Sequence, residues 1–248
     1  MFVQRFSFGD WQWSNGNIYT NRLALFESLR DNSLVPFGQG WGWCTVNPTL
    51  WSQWDDSDPR KVGSILQVGQ ADQGTAGYVG DKGDHETGFF SKKYTSLQYE
   101  DPTNNNTVTG MFVQLYNWGN ADLQLMHAQD FIFMRYADVL LMHSEITETA
   151  DGLNAVRNRA GLSSIGYSLA ALKQERLHEF AFEGLRWFDL VRWGDVDSAF
   201  NYTLNVRNSG TPATYHANYR SETKGLVPIP ETEMRLANGI YEQNPGWD

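Results

Sequence analysis

Cysteine is nearly absent from this chain: Cys44 is the only one in 248 residues. No disulfide can close within it, and no CxxC metal or redox motif exists. A lone Cys beside Trp43 reads as a small buried side chain. Long apolar runs are missing too. None reaches the roughly 18 residues that a membrane-crossing helix needs, and the most apolar stretch, Phe131 to Met142, carries Arg135 and Asp138. Positive charge is scarce, with 19 Lys and Arg against 29 Asp and Glu, a net charge of −10. The cations are dispersed, Lys92-Lys93 being the densest cluster. An acidic chain without a basic patch does not attract phosphate backbones, so nucleic acid is excluded as a partner. A leader is also absent. Met1 runs straight into Phe2-Val3-Gln4-Arg5-Phe6, which alternates like a strand already in progress. The stretch therefore reads as the middle of a longer protein, and the missing targeting signal says nothing about location.

Catalytic signatures are equally thin. Gly38-Gln39-Gly40-Trp41-Gly42 is not GxGxxG, and no GxSxG occurs. His85-Glu86 lacks the second His of HExxH, since Phe89 stands there. Asp81, Asp84 and Glu86 are the best metal candidates by residue type, with His85 among them, but they do not fit the EF-hand pattern. Asp55, Asp56 and Asp58 could be catalytic or hold a hard cation; as turn and cap residues ahead of Pro59-Arg60 they need neither role. His127, His143, His178 and His216 are scattered. No catalytic residue and no cofactor is assigned.

Aromatics are what the chain has in quantity: 10 Trp, 11 Tyr and 14 Phe. Large aromatics mostly pack inward. Yet Trp11, Trp13, Trp41, Trp43, Trp51, Trp54 and Trp118 lie in a polar, irregular part, whereas Trp187 and Trp193 fall on a predicted helix and read as core. Indole rings stack on the C–H faces of sugars, and Asn, Gln and Asp pair with hydroxyls. Trp11, Trp13, Trp41 and Trp43, with Asn15, Asn17 and Gln39 beside them, are the candidate ligand-binding residues.

The pattern divides the chain into a loop-rich part, 1–125, and a helical part, 126–248. In the first, 1–9 read as a strand, 20–30 as helical with Leu23, Phe26 and Leu29 at helical spacing, and Asn47-Pro48-Thr49 as a helix start. Ile65–Val68 and Met111–Leu115 are strand-like, and Asp101–Thr109 is a loop by composition. In the second, helices are expected over 131–145, 152–160 and 169–193. The first would carry Phe133, Ala137, Leu140, Leu141 and Ser144 on one face. The second would end at Gly161. The third, capped by Ser168 and stopped by Gly194, would be the longest and most buried, facing inward with Leu177, Phe180, Ala181, Gly184, Phe188 and Val191. Its charges put Glu179, Glu183 and Arg186 together, and Asp189 beside Arg192. Two of the carboxylates could be a glycosidase acid–base pair; the interleaved arginines point instead to partly buried ion pairs. Extended 225–230 leads to a short helix with Glu231 and Glu233 in its first turn, where the dipole favours acids.

Three segments carry a resemblance. Phe133-Met134-Arg135-Tyr136-Ala137-Asp138-Val139-Leu140-Leu141-Met142-His143-Ser144-Glu145 is similar to a "RYADVLLMYAEA" helix. Leu153-Asn154-Ala155-Val156-Arg157-Asn158-Arg159-Ala160-Gly161-Leu162, with Glu175 to Gly194, matches "LNxVRxRAGL … ERxxELAFEGxRWFDLxRWG". Leu226-Val227-Pro228-Ile229-Pro230 and Gln243-Asn244-Pro245-Gly246-Trp247 match "LxPIP … QNPGW". Upstream, Gly40-Trp41-Gly42, Pro48-Thr49-Leu50 and Asp58-Pro59-Arg60 resemble "GWG … PTxxL … DPR". In this order they resemble the SusD/RagB family of nutrient-binding lipoproteins. The connection Ile146–Gly152 is shorter than the family's usual loop.

The resemblance implies a mainly α, SusD-like fold, the C-terminal portion of a tetratricopeptide-like helical scaffold with irregular loops and a few short strands. It implies a non-enzymatic glycan-binding subunit of an outer-membrane uptake complex in polysaccharide utilization, with a SusC-like TonB-dependent transporter as partner. It places the protein at the cell surface as an outer-membrane lipoprotein whose lipid anchor lies in the family's N-terminal half. A glycoside hydrolase acting on the same glycans, or a helical scaffold contacting only the transporter, are the alternatives.

Overall fold

A computed structural model describes residues 1–5, 21–30, 37, 40–69, 78, 82–95, 98–100, 107–109 and 129–247. Among them the structure is mainly helical. Helices α1 (Leu23–Glu27), α2 (Pro48–Gln53), α3 (Pro59–Ser64), α4 (Tyr136–Thr147), α5 (Asp151–Arg159), α6 (Leu169–Glu179), α7 (Arg186–Trp193), α8 (Val196–Phe200) and α9 (Glu231–Leu236) alternate with short strands. The strands are β1 (Phe2–Gln4), β2 (Ile65–Gln67), β3 (Phe89–Ser91), β4 (Gln98–Glu100), β5 (Thr107–Thr109), β6 (Phe131–Met134), β7 (Tyr202–Asn208) and β8 (Thr211–Ala217). They form two-stranded sheets only: β1–β6, β2–β3, β4–β5 and β7–β8. Among the described residues no helix is long and apolar enough to cross a membrane.

The chain divides into two compact units. One is Met1–Glu183 with Asn205–Ala213; the other is Gly184–Leu204 with Thr214–Asp248. Loop-rich and helical stretches both contribute to the first.

Local chemistry sets the helix ends. Asn47 Oδ1 accepts from Thr49 N at 3.0 Å ahead of Pro48, the N1 residue of α2, and Asp58 repeats the device for α3, accepting from Arg60 N at 2.9 Å ahead of Pro59. Asp55 accepts from Ser57 N at 2.8 Å and Asp56 pairs with Lys61 at 2.5 Å, so all three acids of this cluster serve turn, cap or ion pair. Ser168 caps α6, and Gly161 and Gly194 take left-handed φ values of 79° and 71° just past α5 and α7.

The first unit has two kinds of core. Helices α4, α5 and α6 pack on one another through Ala137, Leu141, Leu153, Val156 and Leu172. Gly152 lets α5 approach α4 closely: a Cβ there would stand 2.0 Å from Leu140 O. Beside them, Val46, Trp54, Ile65 and Ala181 form one apolar cluster, and Leu29, Leu66 and Phe90 another.

In the second unit, the segments around Leu226 and Trp247 clamp each other. Gln243 donates to Ile229 O and accepts from Ile229 N, Asn244 donates to Val227 O at 2.7 Å, and Trp247 Nε1 donates to Leu226 O at 2.9 Å. The resemblance to "LxPIP … QNPGW" is thus a single tertiary contact between its two halves.

Several expectations fail. No single helix spans 169–193. It breaks at Phe180–Gly184, where Phe182 (φ 68°) and Gly184 (φ 79°) adopt left-handed backbone, and α4, with 12 residues, is longer than either piece. Of its expected inward face, Phe180 and Ala181 are buried, whereas Phe188 is 67% exposed. The helix expected from 131 starts at 136, because 131–134 pair with β1 as a strand, which leaves Phe133 exposed. Residues 107–109, expected in a loop, pair with 98–100. Cys44 is exposed, because the segment that carries it lies along α1 by backbone hydrogen bonds, not by side-chain burial. Trp187 and Trp193 are half-buried, Trp187 meeting Phe200 edge-on at 5.3 Å. The β7–β8 hairpin was not foreseen; its signal is alternation on either side of Ser209-Gly210, a turn dipeptide. The expected strand at 111–115 lies outside the described residues.

Candidate functional site

Two constellations stand out in the first unit, one aromatic and one ionic. The aromatic one begins at α1. Residues 40–44 run along this helix and donate their backbone N–H groups to carbonyls of the helix and of the two residues after it: Gly40 to Leu29 O at 2.6 Å, Trp41 to Leu25 O at 2.6 Å, Gly42 to Ser28 O at 2.9 Å, Trp43 and Cys44 to Phe26 O at 2.9 and 3.2 Å. Gly40 is required for this approach, since a Cβ there would lie 2.5 Å from both Leu25 O and Ser28 Cβ. The result is a cluster of three rings. Phe26 and Trp43 stack with centroids 5.4 Å apart and planes 7° from parallel, and Trp41 tilts against Trp43 at 4.7 Å and Phe26 at 5.5 Å. Trp41 is half-buried and Trp43 is 56% exposed. Of the candidate ligand residues, Trp41 and Trp43 are thus brought together. Trp11, Trp13, Asn15, Asn17 and Gln39 lie outside the described residues. Phe26, which stood out in the sequence only for its helical spacing with Leu23 and Leu29, is the third ring.

Next to Phe26 in sequence, Glu27 is buried, and its Oε2 has no hydrogen-bond partner among the described residues. Burial pushes its carboxyl up to about 7, partly opposed by the Ser91 hydroxyl and the charge of Lys93. This fixes the sign of a pH effect. Below about 4.5 the carboxyl is protonated in both folded and unfolded chains and imposes no penalty. Between 4.5 and about 7 only the unfolded chain ionises, so stability falls as pH rises. The full loss is roughly 3 kcal/mol. Glu27→Gln is therefore expected to be more stable than the parent at pH 8 and to lose this advantage at pH 4.5. Urea unfolding of the pair at both pH values measures it.

The ionic constellation centres on α6. Glu175 and Glu179 are one helical turn apart, and Glu183 follows in the turn after the helix. Glu179 accepts from Arg60 Nη1 at 2.9 Å, from Arg135 Nη1, and from Arg159 Nη2 at 2.7 and 2.8 Å. Glu183 accepts from Arg135 Nε at 2.8 Å and Lys93 Nζ at 2.6 Å. Glu175 accepts from Arg60 Nη1 at 2.6 Å and Arg157 Nη1 at 3.2 Å. Arg60 also grips Asp58 at 2.8 Å, and Arg176 pairs with Asp138 at 2.7 Å. The carboxylates are almost fully buried. Burial works against the charge of Glu179, but the Arg135, Arg60 and Arg159 bonds hold it below the usual carboxylate range. Asp189 and Arg192 pair at 2.9 Å as expected. The expected grouping of Arg186 with Glu179 and Glu183 fails. The chain turns at 180–184, and Arg186 starts a separate helix where its nearby acids are Asp189 and Asp195.

Of the metal candidates, the described acids, Asp84 and Glu86, turn to different partners. Glu86 is buried and its Oε1 turns to Gly83 N at 2.9 Å. Asp84 is exposed toward Ser209 Oγ at 3.4 Å, and Asp81 lies outside the described residues. Among the described residues no group of three or more His, Cys, Asp or Glu side chains is placed to hold a metal ion.

Apart from Lys93, every arm of the ionic cluster comes from a segment that resembled the same family: Arg60 from "DPR", Arg135 and Asp138 from "RYAD", Arg157 and Arg159 from "VRxRAG", and the glutamates from "ERxxELAFEG". The model of the SusD family matches residues 47–247, and the chain belongs to that family. SusD-like protein P2 of Formosa agariphila is 22% identical over 261 residues, an alignment taking in 95% of this chain and 46% of that protein. Surface glycan-binding protein A of Bacteroides thetaiotaomicron, solved in complex with laminarihexaose, superposes with a TM-score of 0.66 at 26% identity, over 89% of this chain and 45% of that one. The corresponding protein of Bacteroides fluxus gives a TM-score of 0.67 at 25% identity, over 92% and 46%. The chain thus spans about half the length of these relatives.

Proposed function

We propose that this chain is part of a non-enzymatic glycan-binding subunit of an outer-membrane uptake complex, with Trp43 and Trp41 at its sugar-contacting surface. The observation that carries the reading is the exposed Trp43 ring, stacked flat on Phe26 and pinned to α1 through its own backbone. A rigid, largely exposed indole suits the C–H face of a pyranose ring, which binds without a catalytic pKa. Trp11, Trp13, Asn15, Asn17 and Gln39 complete the proposed surface. The SusD family membership and the laminarihexaose complex of a similar protein support glycan as the ligand class. The family role further supports a SusC-like TonB-dependent transporter as partner, a lipoprotein anchor and placement at the cell surface.

A non-catalytic role is consistent with the carboxylates of Glu175, Glu179 and Glu183, each held by arginine or lysine. Such a carboxylate is poorly placed to give or take a proton. Trp43→Ala is expected to weaken laminarihexaose binding by about 1–3 kcal/mol, the range for a base stacked on an aromatic side chain, while the protein stays folded with a small loss of stability, about 0.5–1.5 kcal/mol per aromatic contact removed. Calorimetry against laminarihexaose measures the loss. Unchanged affinity in both Trp43→Ala and Trp41→Ala would move the site elsewhere, and shortened products on chromatography would restore the hydrolase alternative.

A further inference from the structure

A second concavity lies in the first unit, between the α2–α3 turn and the α5–α6 connection, with a volume of about 420 Å³. That falls within the roughly 300–1,000 Å³ of small-molecule clefts. We propose that it is a second saccharide subsite that takes one neutral, unsubstituted sugar residue, separate from the Trp41–Trp43 surface. The proposal rests on the glycan-binding reading above.

Its lining combines the two surfaces a pyranose needs. Leu162 and Ile165 of the connection, with Ala171 of α6, supply an apolar wall. The α2–α3 turn supplies the Gln53 carboxamide, the Asp55 carboxylate and the Ser57 hydroxyl, and α6 adds the carboxamide of Gln174. These are the donor and acceptor types that pair with sugar hydroxyls.

Charge selects against acidic sugars. Asp55, Asp58 and Glu175 line the cleft with one cation, Arg157, and Arg60 binds Asp58 and Glu175 from beside it, so three carboxylates stand against two cations. The remaining lining group that can titrate near neutrality, His178, is driven by burial down to about 4 and stays uncharged at pH 7, although Asp58 pulls the other way. A sulfate or uronate would thus meet net negative charge. A divalent cation is equally disfavoured, because Asp58 and Glu175 are already bound to Arg60 and Arg157.

The cleft is also preformed. Asn154 holds the wall in place through both its amide atoms, donating to Ile165 O at 3.0 Å and accepting from Ile165 N at 2.9 Å. Arg157 Nε donates to Ser163 O at 3.0 Å, and Gln174 Nε2 meets His178 Nε2 at 2.7 Å. A ligand entering a site fixed in this way has little ordering to impose.

The test uses the 248-residue chain labelled at Ile and Leu methyls and at Trp indoles. It is titrated with neutral laminari-, cello-, malto- and mannohexaose, and with sulfated and uronate oligosaccharides. With a neutral hexaose the methyl signals of Ile165 and Leu162 are expected to shift, equally in the parent and in Trp43→Ala. Gln53→Ala and Gln174→Ala should each weaken this response at least about fivefold, the loss of one hydrogen bond. Ile165→Glu should abolish it; this side chain is 37% exposed, so its replacement spares the core. If the Trp43 indole responds to a neutral hexaose and the Ile165 methyl to none, the second subsite is wrong and the glycan reading stands. If neither responds, both are wrong. An Ile165 response lost in Trp43→Ala would overturn the independence of the two sites. A response only to sulfated or uronate sugars would overturn the ligand class.

Discussion

Glu179→Ala is expected to destabilise the protein by about 3–5 kcal/mol, the cost of breaking a buried ion pair by removing one partner. In a chain of this size that lowers Tm by about 6–20 °C. The carboxylate side chain is 2% exposed and receives three guanidinium groups, so its loss leaves Arg60 and Arg135 charged in a half-buried setting with fewer acceptors. Arg159 is 61% exposed and regains water at little cost. Arg159→Ala should therefore cost under about 1 kcal/mol, as for exposed pairs. Glu179→Gln keeps the shape and removes the charge, and should retain most of the damage of the alanine variant. The pH dependence has the sign opposite to that of Glu27. Because the folded-state value of Glu179 is depressed, its contribution is present above the unfolded value and is lost as pH falls through the folded one. The gap between parent and variant should accordingly narrow in acid. Denaturant unfolding from pH 7 down to pH 3 measures both; a gap of less than about 1 kcal/mol at pH 7 would show that the cluster does not hold the fold.

Trp54→Ala is expected to be of similar size, about 3–5 kcal/mol, by a different route. Trp54 is 2% exposed and packs with Val46, Ile65 and Ala181. Its ring lies 4.3 Å from that of His178, with planes 6° apart, and its Nε1 donates to Asp58 Oδ2 at 2.9 Å. The alanine leaves a cavity and removes one donor from a buried carboxylate. Trp54→Phe separates the two effects. It keeps much of the ring volume and loses the donor, so it should cost clearly less than the alanine, with at least the roughly 1 kcal/mol of a lost hydrogen bond. Equal losses in the two variants would put the whole effect on the hydrogen bond to Asp58. Since Asp58 caps α3 and orients Arg60, the alanine variant should also loosen the ionic cluster.

Much of the fold was legible locally. Asn47, Ser168, Gly161 and Gly194 mark helix ends through side-chain oxygens and positive φ, which depend on the residue and its immediate neighbours. The family resemblance was legible because whole segments matched in order. The break at 180–184 was not. Periodicity runs through it, and the left-handed Phe182 is held by packing against Trp54, Ile65 and their neighbours, which no window of sequence contains. The start of α4 was misplaced for a similar reason. Phe131–Met134 fits a helical face, but β1, more than 120 residues away in sequence, takes its backbone hydrogen bonds.

For the site, sequence determined which residue types were available: tryptophans in polar, irregular stretches, and acids and arginines at one-turn spacing. Tertiary structure decided which of them meet. Phe26 joins Trp43 because Gly40 admits the chain against α1, and Glu179 faces three arginines because α3, the β6–α4 junction and α5 converge on α6. Spacing along one helix records which charges can be neighbours, whereas neutralising a buried carboxylate depends on cations delivered from other elements. That is why the ion-pair reading of the charged helix could be drawn from its own sequence, while the partners could be named only from the folded chain.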